Sequence, residues 1–258
     1  MTQDLRITDA DFVRRIEISR PESKNGLTTD LNRRLIEGVS GAKEAGARVL
    51  IITGAGGSFS SGLDLKAAMA DIGGDLRERA RVYFHGLIRA IRDAPLPTIA
   101  AVDGAAAGFG CDLALACDLR IVSDRARFGE VFVRRGLVPD GGGTFLLPRL
   151  IGIGRALELM YTGAMIDAAE AHRLGIANRV VAAADLESEV WTLATRLAKG
   201  APMALRQIKE MVYASLSGDL DAALDRELEA QLRCLASEDV REGIAAFLTK
   251  REPVFSGK

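Results

Sequence analysis

Thr98-Ile99-Ala100-Ala101-Val102-Asp103-Gly104-Ala105-Ala106-Ala107-Gly108-Phe109-Gly110-Cys111-Asp112 is the stretch whose reading decides the fold. Thr98–Val102 is a short apolar run of strand type, and it ends in a turn of small residues. The chain then restarts as a helix at Gly108-Phe109-Gly110-Cys111-Asp112. A second strand, Leu119–Ser123, follows. After it come Phe128-Gly129-Glu130 and the run Gly136-Leu137-Val138-Pro139-Asp140-Gly141-Gly142-Gly143-Thr144. Two glycine-rich turns therefore bracket two aspartates, Asp112 and Asp140. Glycines let backbone N–H groups point at a ligand without interference from a Cβ. A helix N-terminus adds the positive end of its dipole. A carboxylate one turn into that helix can exchange protons with whatever the N–H groups hold. This is the layout of an anion-stabilising pocket with a carboxylate base.

The flanking sequence repeats the alternation of strand and helix. Phe12–Ser19 alternates as a half-buried strand, and Arg20–Gly26 is a turn cluster. Thr28 or Thr29 caps a helix running to about Ala45, with Leu31, Leu35, Ile36 and Val39 on one face. Arg48–Thr53 reads as a buried strand, Gly54–Gly62 as a Gly/Ser loop. Asp75–Ala94 reads as a helix that stops before Pro95 and Pro97. Arg155–Thr162 and Asp167–Leu174 read as short helices and Arg179–Val181 as a strand. Leu186–Lys199, Pro202–Ser215 and Leu220–Lys250 read as helices. Strands thus alternate with helices for about the first two thirds, and the last third is nearly all helix, the pattern of an α/β domain followed by a helical segment.

Composition narrows the class. A chain of 258 residues makes one large domain or two small ones. The net charge of −1, with Arg and acidic residues interspersed, points to no nucleic-acid and no membrane partner. Cys111, Cys117 and Cys234 lie in no metal-binding spacing, so no metal site is expected, and they fit a reduced, cytoplasmic protein. The polar start Met1–Asp11 lacks a signal-peptide core. No apolar run approaches the roughly 20 residues of a membrane span.

Each candidate site has an ordinary reading beside the chemical one. Gly54–Leu63 could cradle a carbonyl oxygen, yet it fits neither the P-loop nor the nucleophile-elbow pattern and taken alone reads as a turn. Gly104–Gly110 lacks the full dinucleotide fingerprint, and its alanines suit close helix–sheet packing. Asp112 lies among Leu113, Ala114, Leu115 and Ala116, so its carboxyl should resist ionisation, as a general acid or base requires. It could equally serve the helix dipole. Pro139-Asp140-Gly141 is also a common turn. His85 and His172 sit on amphipathic stretches and read as packing or surface residues. Asp118 reads as an ion-pair partner or cap.

Taken together, these pieces resemble the crotonase superfamily, the enoyl-CoA hydratase/isomerase family. The resemblance is carried by Ser60–Lys66, Ala101–Asp118, Gly136–Thr144, Leu159–Gly163, Ala171–Ala177 and the ending Glu242–Phe255, in order along essentially the whole chain. It implies an α/β spiral of ββα units over residues 1–200 and a C-terminal helical region, 201–258, that builds a homotrimer or a dimer of trimers. It implies an acyl-CoA thioester as substrate, an enolate-like intermediate, and no cofactor beyond the coenzyme A that the substrate carries.

By position the resemblance makes the backbone N–H groups of Leu63 and Phe109 the two oxyanion donors. Losing one such donor typically costs about 2.7–4 kcal/mol of transition-state stabilisation. Phe109 stands where the family usually has glycine, and its amide can still donate. Ser61, Gly62, Asp64, Leu65, Gly108, Gly110 and Phe132 are the implied substrate contacts. Lys24, in the Arg20–Leu27 turn, would lie along the nucleotide of the coenzyme. Phe247 and Lys250 would reach the coenzyme of a neighbouring subunit.

Hydratases of this family use two glutamates. The first maps onto Asp112 and the second onto Phe132, which cannot move a proton. Glu130, two residues earlier, substitutes only if the backbone shifts. Dienoyl-CoA isomerases carry aspartates at the Asp112 and Asp140 positions and a glutamate at the Phe132 position; this chain keeps both aspartates and loses the glutamate. Isomerases of the ring-opened phenylacetate type carry an aspartate in a turn like Gly136–Asp140, followed by Leu147-Pro148-Arg149. Moving a double bond needs only proton removal at one carbon and return at another. The expected activity is therefore double-bond migration in an enoyl-CoA, with Asp140 shuttling the proton and Asp112 assisting or orienting. The alternatives are a hydratase using Asp112 and Glu130, an acyl-CoA hydrolase, and a non-catalytic acyl-CoA-binding protein.

Overall fold

The structure, a computed structural model, describes residues 4–70 and 75–258. In chain order the first elements are β1 (Leu5–Ala10), β2 (Val13–Ile18), α1 (Thr29–Ser40), β3 (Val49–Gly54), α2 (Leu65–Ala70), α3 (Leu76–Arg79) and α4 (His85–Arg92). The centre consists of β4 (Thr98–Val102), β5 (Ala105–Ala107), α5 (Phe109–Ala116), β6 (Leu119–Ser123), β7 (Arg127–Gly129) and α6 (Gly143–Ile151). The chain continues with α7 (Ile153–Thr162), β8 (Ile166–Asp167), α8 (Ala168–Leu174), β9 (Arg179–Val181) and α9 (Leu186–Ala198). It ends in α10 (Pro202–Ser215), α11 (Leu220–Leu235) and α12 (Glu238–Leu248).

Six strands form the main sheet in the order β1-β2-β3-β4-β6-β9, parallel throughout except for the β1–β2 hairpin. A parallel sheet covered on both faces needs apolar residues on both, and β3, β4 and β6 supply them. Leu50, Ile52, Ala100, Val102 and Val122 face the larger core under α1, α4 and α5. Val49, Ile51, Ile99, Ala101 and Ile121 face the smaller one under α9, packed on Leu186, Val190 and Ala194. β5, β7 and β8 form a second, three-stranded sheet. The architecture is the expected α/β body with a helical C-terminal region.

Four local expectations are corrected. The polar N-terminal stretch is the edge strand β1, held by backbone pairing and by Arg6–Glu17 and Asp9–Arg14 ion pairs. Its hairpin turn places Asp11 and Phe12 at φ 50° and 62° without a glycine, so the usual turn signal is missing. Ala105–Ala107 is the strand β5 rather than a turn. The run after Asp140 opens α6 despite Gly141, Gly142 and Pro148, because Leu147 and Ile151 seat in the main core. The final helix breaks after Leu235, where the Ser237 hydroxyl accepts the Val240 N–H at 3.2 Å and caps α12.

The C-terminal helices dock onto the body through a half-hidden polar knot. Lys209 Nζ on α10 pairs with Asp118 at 2.9 Å and donates to the carbonyls of Ile91 and Leu96. The Tyr213 hydroxyl donates to the other Asp118 oxygen at 2.7 Å. Asp118 is thus the ion-pair partner that its sequence position suggested.

Candidate active site

Two loops meet at the N-terminus of α5. The first, Ser60–Asp64, leaves β3 and runs beside β5, pairing Ser60 with Ala106. The second is the Gly108 turn, which leaves β5 at φ 54°. Their backbones touch. A Cβ on Gly62 would stand 2.8 Å from the Ala107 carbonyl and 3.0 Å from the Phe109 nitrogen, and Gly62 sits at φ 87°. A Cβ on Gly110 would run into the Ser60 carbonyl and stand 2.8 Å from the Ser60 Cβ. This contact brings Gly62, the residue before Leu63, against the Phe109 nitrogen. The Phe109 N–H is the first of α5, so no carbonyl of its own helix takes it. Among the described residues, no turn hydrogen bond takes the Leu63 N–H.

A small cleft of about 80 Å³ opens at this junction. Ser61, Leu63, Leu65, Gly108, Phe109, Phe132 and Asp140 form part of its wall. The sequence reading did not single out Phe84, Val131, Leu137 or Arg135, which complete the lining. Phe84 enters because a π-helical stretch, Ala80–Phe84, joins α3 to α4. Its ring then meets that of Phe109 edge-on, with centroids 5.2 Å apart. Arg135 ends the 3-10 segment Val131–Arg135 and brings a guanidinium to the rim.

The other expected site residues lie elsewhere. Gly110 is sealed against Ser60. Asp64 pairs with Arg20 at 3.0 Å and accepts the Ala67 N–H, bonds that hold its carboxyl below the usual range. Lys24 sits exposed at φ 52°, while Phe247 and Lys250 are exposed on and just after α12. None of these five lines the cleft.

The carboxyls divide into one that lines the cleft and two that do not. Asp140 remains accessible on the wall, yet burial raises its pKa while the charge of His85 opposes the rise. His85, at first sight a packing residue, is therefore an electrostatic neighbour of Asp140. Asp112 is fully buried, and its Oδ2 accepts the Gly141 N–H at 3.0 Å. Glu130 is 1% exposed and turned into the core behind the cleft. Burial is the main cause that pushes both upward, Asp112 to about 7 and Glu130 to about 9. One carboxyl, two free amides and an aromatic wall can hold a carbonyl oxygen and move a proton beside it.

Known proteins of the same shape carry this arrangement into a chemical class. A model of the enoyl-CoA hydratase/isomerase family matches residues 9–258. The 1,2-epoxyphenylacetyl-CoA isomerase of Escherichia coli is 36% identical over 247 residues, 94% of either chain. An enoyl-CoA hydratase from Bacillus anthracis superposes with a TM-score of 0.93 at 34% identity, covering 99% of this chain and 100% of that one. A Thermobifida fusca chain assigned as an enoyl-CoA hydratase was solved in complex with CoA. It is 37% identical, with a TM-score of 0.84 over 90% of this chain and 93% of its own. Names of both hydratase and isomerase type thus accompany the same fold.

Proposed function

The chain belongs to the enoyl-CoA hydratase/isomerase family, and from that premise we propose that it moves a carbon–carbon double bond within an enoyl-CoA rather than hydrating it. The observation that carries this reading is the cleft wall. Among the described residues Asp140 is the single carboxyl lining it, and Phe132 lines it as an aromatic surface. Syn-addition of water is served by two carboxyls on one water, and here Glu130 and Asp112 are turned away behind the wall. Double-bond migration is served by one.

In this mechanism the thioester oxygen sits between the Leu63 and Phe109 amides. Asp140 removes a proton from C2 of a 3-enoyl thioester, and the electron pair moves into the carbonyl as an enolate. The enolate oxygen carries charge that the ground state lacks, so the two amides favour the transition state over the substrate. Asp140 then returns the proton at C4, which gives the 2-enoyl product. The raised pKa of Asp140 suits both halves of that exchange. The Phe132, Phe84 and Phe109 rings keep the wall apolar, which disfavours a competing water.

The CoA-bound relative supports a CoA thioester as ligand. Leu220, Leu224, Leu228 and Leu232 leave one face of α11 exposed and apolar, which supports a homo-oligomer built on the helical region, with Phe247 and Lys250 near its seam. The test is incubation with trans-3-hexenoyl-CoA in D2O followed by proton NMR. Conversion to the 2-enoyl thioester without 3-hydroxyacyl product is expected, and Asp140→Asn should slow it by about 10²–10⁴-fold. Formation of 3-hydroxyacyl-CoA at the wild-type rate, or full activity in Asp140→Asn, would overturn the reading.

A further inference from the structure

Three buried carboxyl oxygens behind the cleft have no conventional hydrogen-bond partner among the described residues: Asp112 Oδ1 and both Glu130 oxygens. The two carboxyls meet across the start of α6. A Cβ on Gly143 would run into Asp112 Oδ1 and stand 2.9 Å from Glu130 Oε1, so the two oxygens share the space that this glycine leaves. Glu130 also neighbours Cys111, whose thiol is itself kept protonated by burial and is a weak donor.

Two ionised carboxyls cannot share a dry site without a cation or a proton between them. The buried guanidinium of Arg120 is spent on the carbonyls of Ile176, Ala114 and Cys117, and that of Arg14 on Asp9 and the Gly38 carbonyl. A proton is the remaining solution, and it turns the repulsion into a short charge-assisted O–H···O bond. Its place follows from the other bonds. Asp112 Oδ2 already accepts the Gly141 N–H, which favours the anion on Asp112. Glu130 has no such bond.

We propose that Glu130 is a positioning residue: it stays protonated, donates to Asp112 Oδ1, and so keeps Asp112 as the anionic anchor of Gly141, the residue next to Asp140. The proposal rests on the reading of Asp140 as the proton shuttle. Asp112 stands three residues after Phe109 in the first turn of α5. The pair therefore ties the turn that carries the shuttle to the helix end that supplies an amide donor. The upward shift of Glu130, from burial first and then from the charge of Asp112, agrees with this placement of the proton. The second step in the chain of positioning is Gly143, because any side chain there would part the two carboxyls.

The test compares Glu130→Gln, which keeps an N–H donor toward Asp112, with Glu130→Leu, which does not. Infrared spectra of the wild type at neutral pH should show the C=O stretch of a buried protonated carboxyl, lost in Glu130→Gln and kept in Asp140→Asn. Exchange of the Gly141 amide should stay slow in Glu130→Gln and become fast in Glu130→Leu. With 3-enoyl-CoA, Glu130→Gln should turn over near the wild-type rate. Glu130→Leu should lose kcat by about 10²-fold, the cost of a misplacement of about 1 Å, with KM little changed. Absence of that infrared band in the wild type would overturn the proposal. So would wild-type exchange of the Gly141 amide in Glu130→Leu. Failure of the wild type to isomerise, with the band and the exchange pattern present, would instead remove the isomerase reading and leave the carboxyl pair standing.

Discussion

Replacing Gly62 by alanine should damage catalysis more than folding, and the structure gives both magnitudes. Gly62 sits at φ 87°, where an L residue pays a conformational penalty of about 1–2 kcal/mol. Its new Cβ would also lie 2.8 Å from the Ala107 carbonyl and 3.0 Å from the Phe109 nitrogen, both backbone atoms that no rotamer change can clear. Overpacking of this kind adds about 1–3 kcal/mol. Gly46 supplies the control. It has nearly the same φ, 85°, and nothing within 4 Å, so Gly46→Ala carries the conformational term alone. Thermal unfolding should therefore place Gly62→Ala below Gly46→Ala by about 2–12 °C, at about 2–4 °C per kcal/mol for a chain of this size. Relief of the contact moves either Leu63 or the Phe109 amide. Loss of one oxyanion donor costs about 10²–10³-fold in kcat. Gly46→Ala should retain wild-type kcat with 3-hexenoyl-CoA, and folded Gly62→Ala should lose that factor. Wild-type kcat in folded Gly62→Ala would show that the Leu63 and Phe109 amides are not the donors.

Three further outcomes follow from charges already described. The charge of His85 lowers the pKa of Asp140, so His85→Ala should shift the acidic limb of the kcat/KM profile to higher pH, with the plateau unchanged. Glu130 holds its proton in the folded state up to about pH 9, whereas an unfolded glutamate releases it near 4.3. The folded chain thus binds the extra proton in that window. Stability should fall as pH rises through it, by at most about 1.4 kcal/mol per pH unit, and urea titrations at pH 5 and 8 should show Glu130→Gln flattening the slope. Lys209→Met should destabilise by about 3 kcal/mol in the same titrations, because it leaves a half-buried Asp118 with only the Tyr213 hydroxyl and the Thr98 N–H as donors.

The parts of the fold that could be read from the sequence are those where local chemistry and packing agree. The apolar runs at β3, β4 and β6 and the Pro202 start of α10 are such places, and the glycines around Phe109 mark the junction of the two loops. α6 was hidden because three glycines and Pro148 argue locally against a helix, and only the burial of Leu147 and Ile151 overrides them. β1 was hidden because an edge strand needs no apolar face. At the site, Asp140 announces itself by its turn, whereas Arg135 and Phe84 reach the cleft through a 3-10 end and a π-helical stretch that leave no local signature. Asp112 was marked for burial by the apolar run Leu113–Ala116, whereas the seclusion of Glu130 is a product of packing, against Gly143 of α6.

The close contact of the Ser60–Leu63 loop with the Gly108–Gly110 turn has a consequence for how such a chain can change over generations. In the proposed mechanism the oxygen-holding groups are main-chain amides, and what secures their loops is the missing Cβ on Gly62 and Gly110 rather than any side chain. A saturation scan should thus be lopsided: near-total intolerance at those two glycines beside wide tolerance at the cleft-facing positions 132, 135 and 137. Selection can redraft the wall, and with it the fate of the enolate, while the apparatus that makes an enolate accessible is inherited intact.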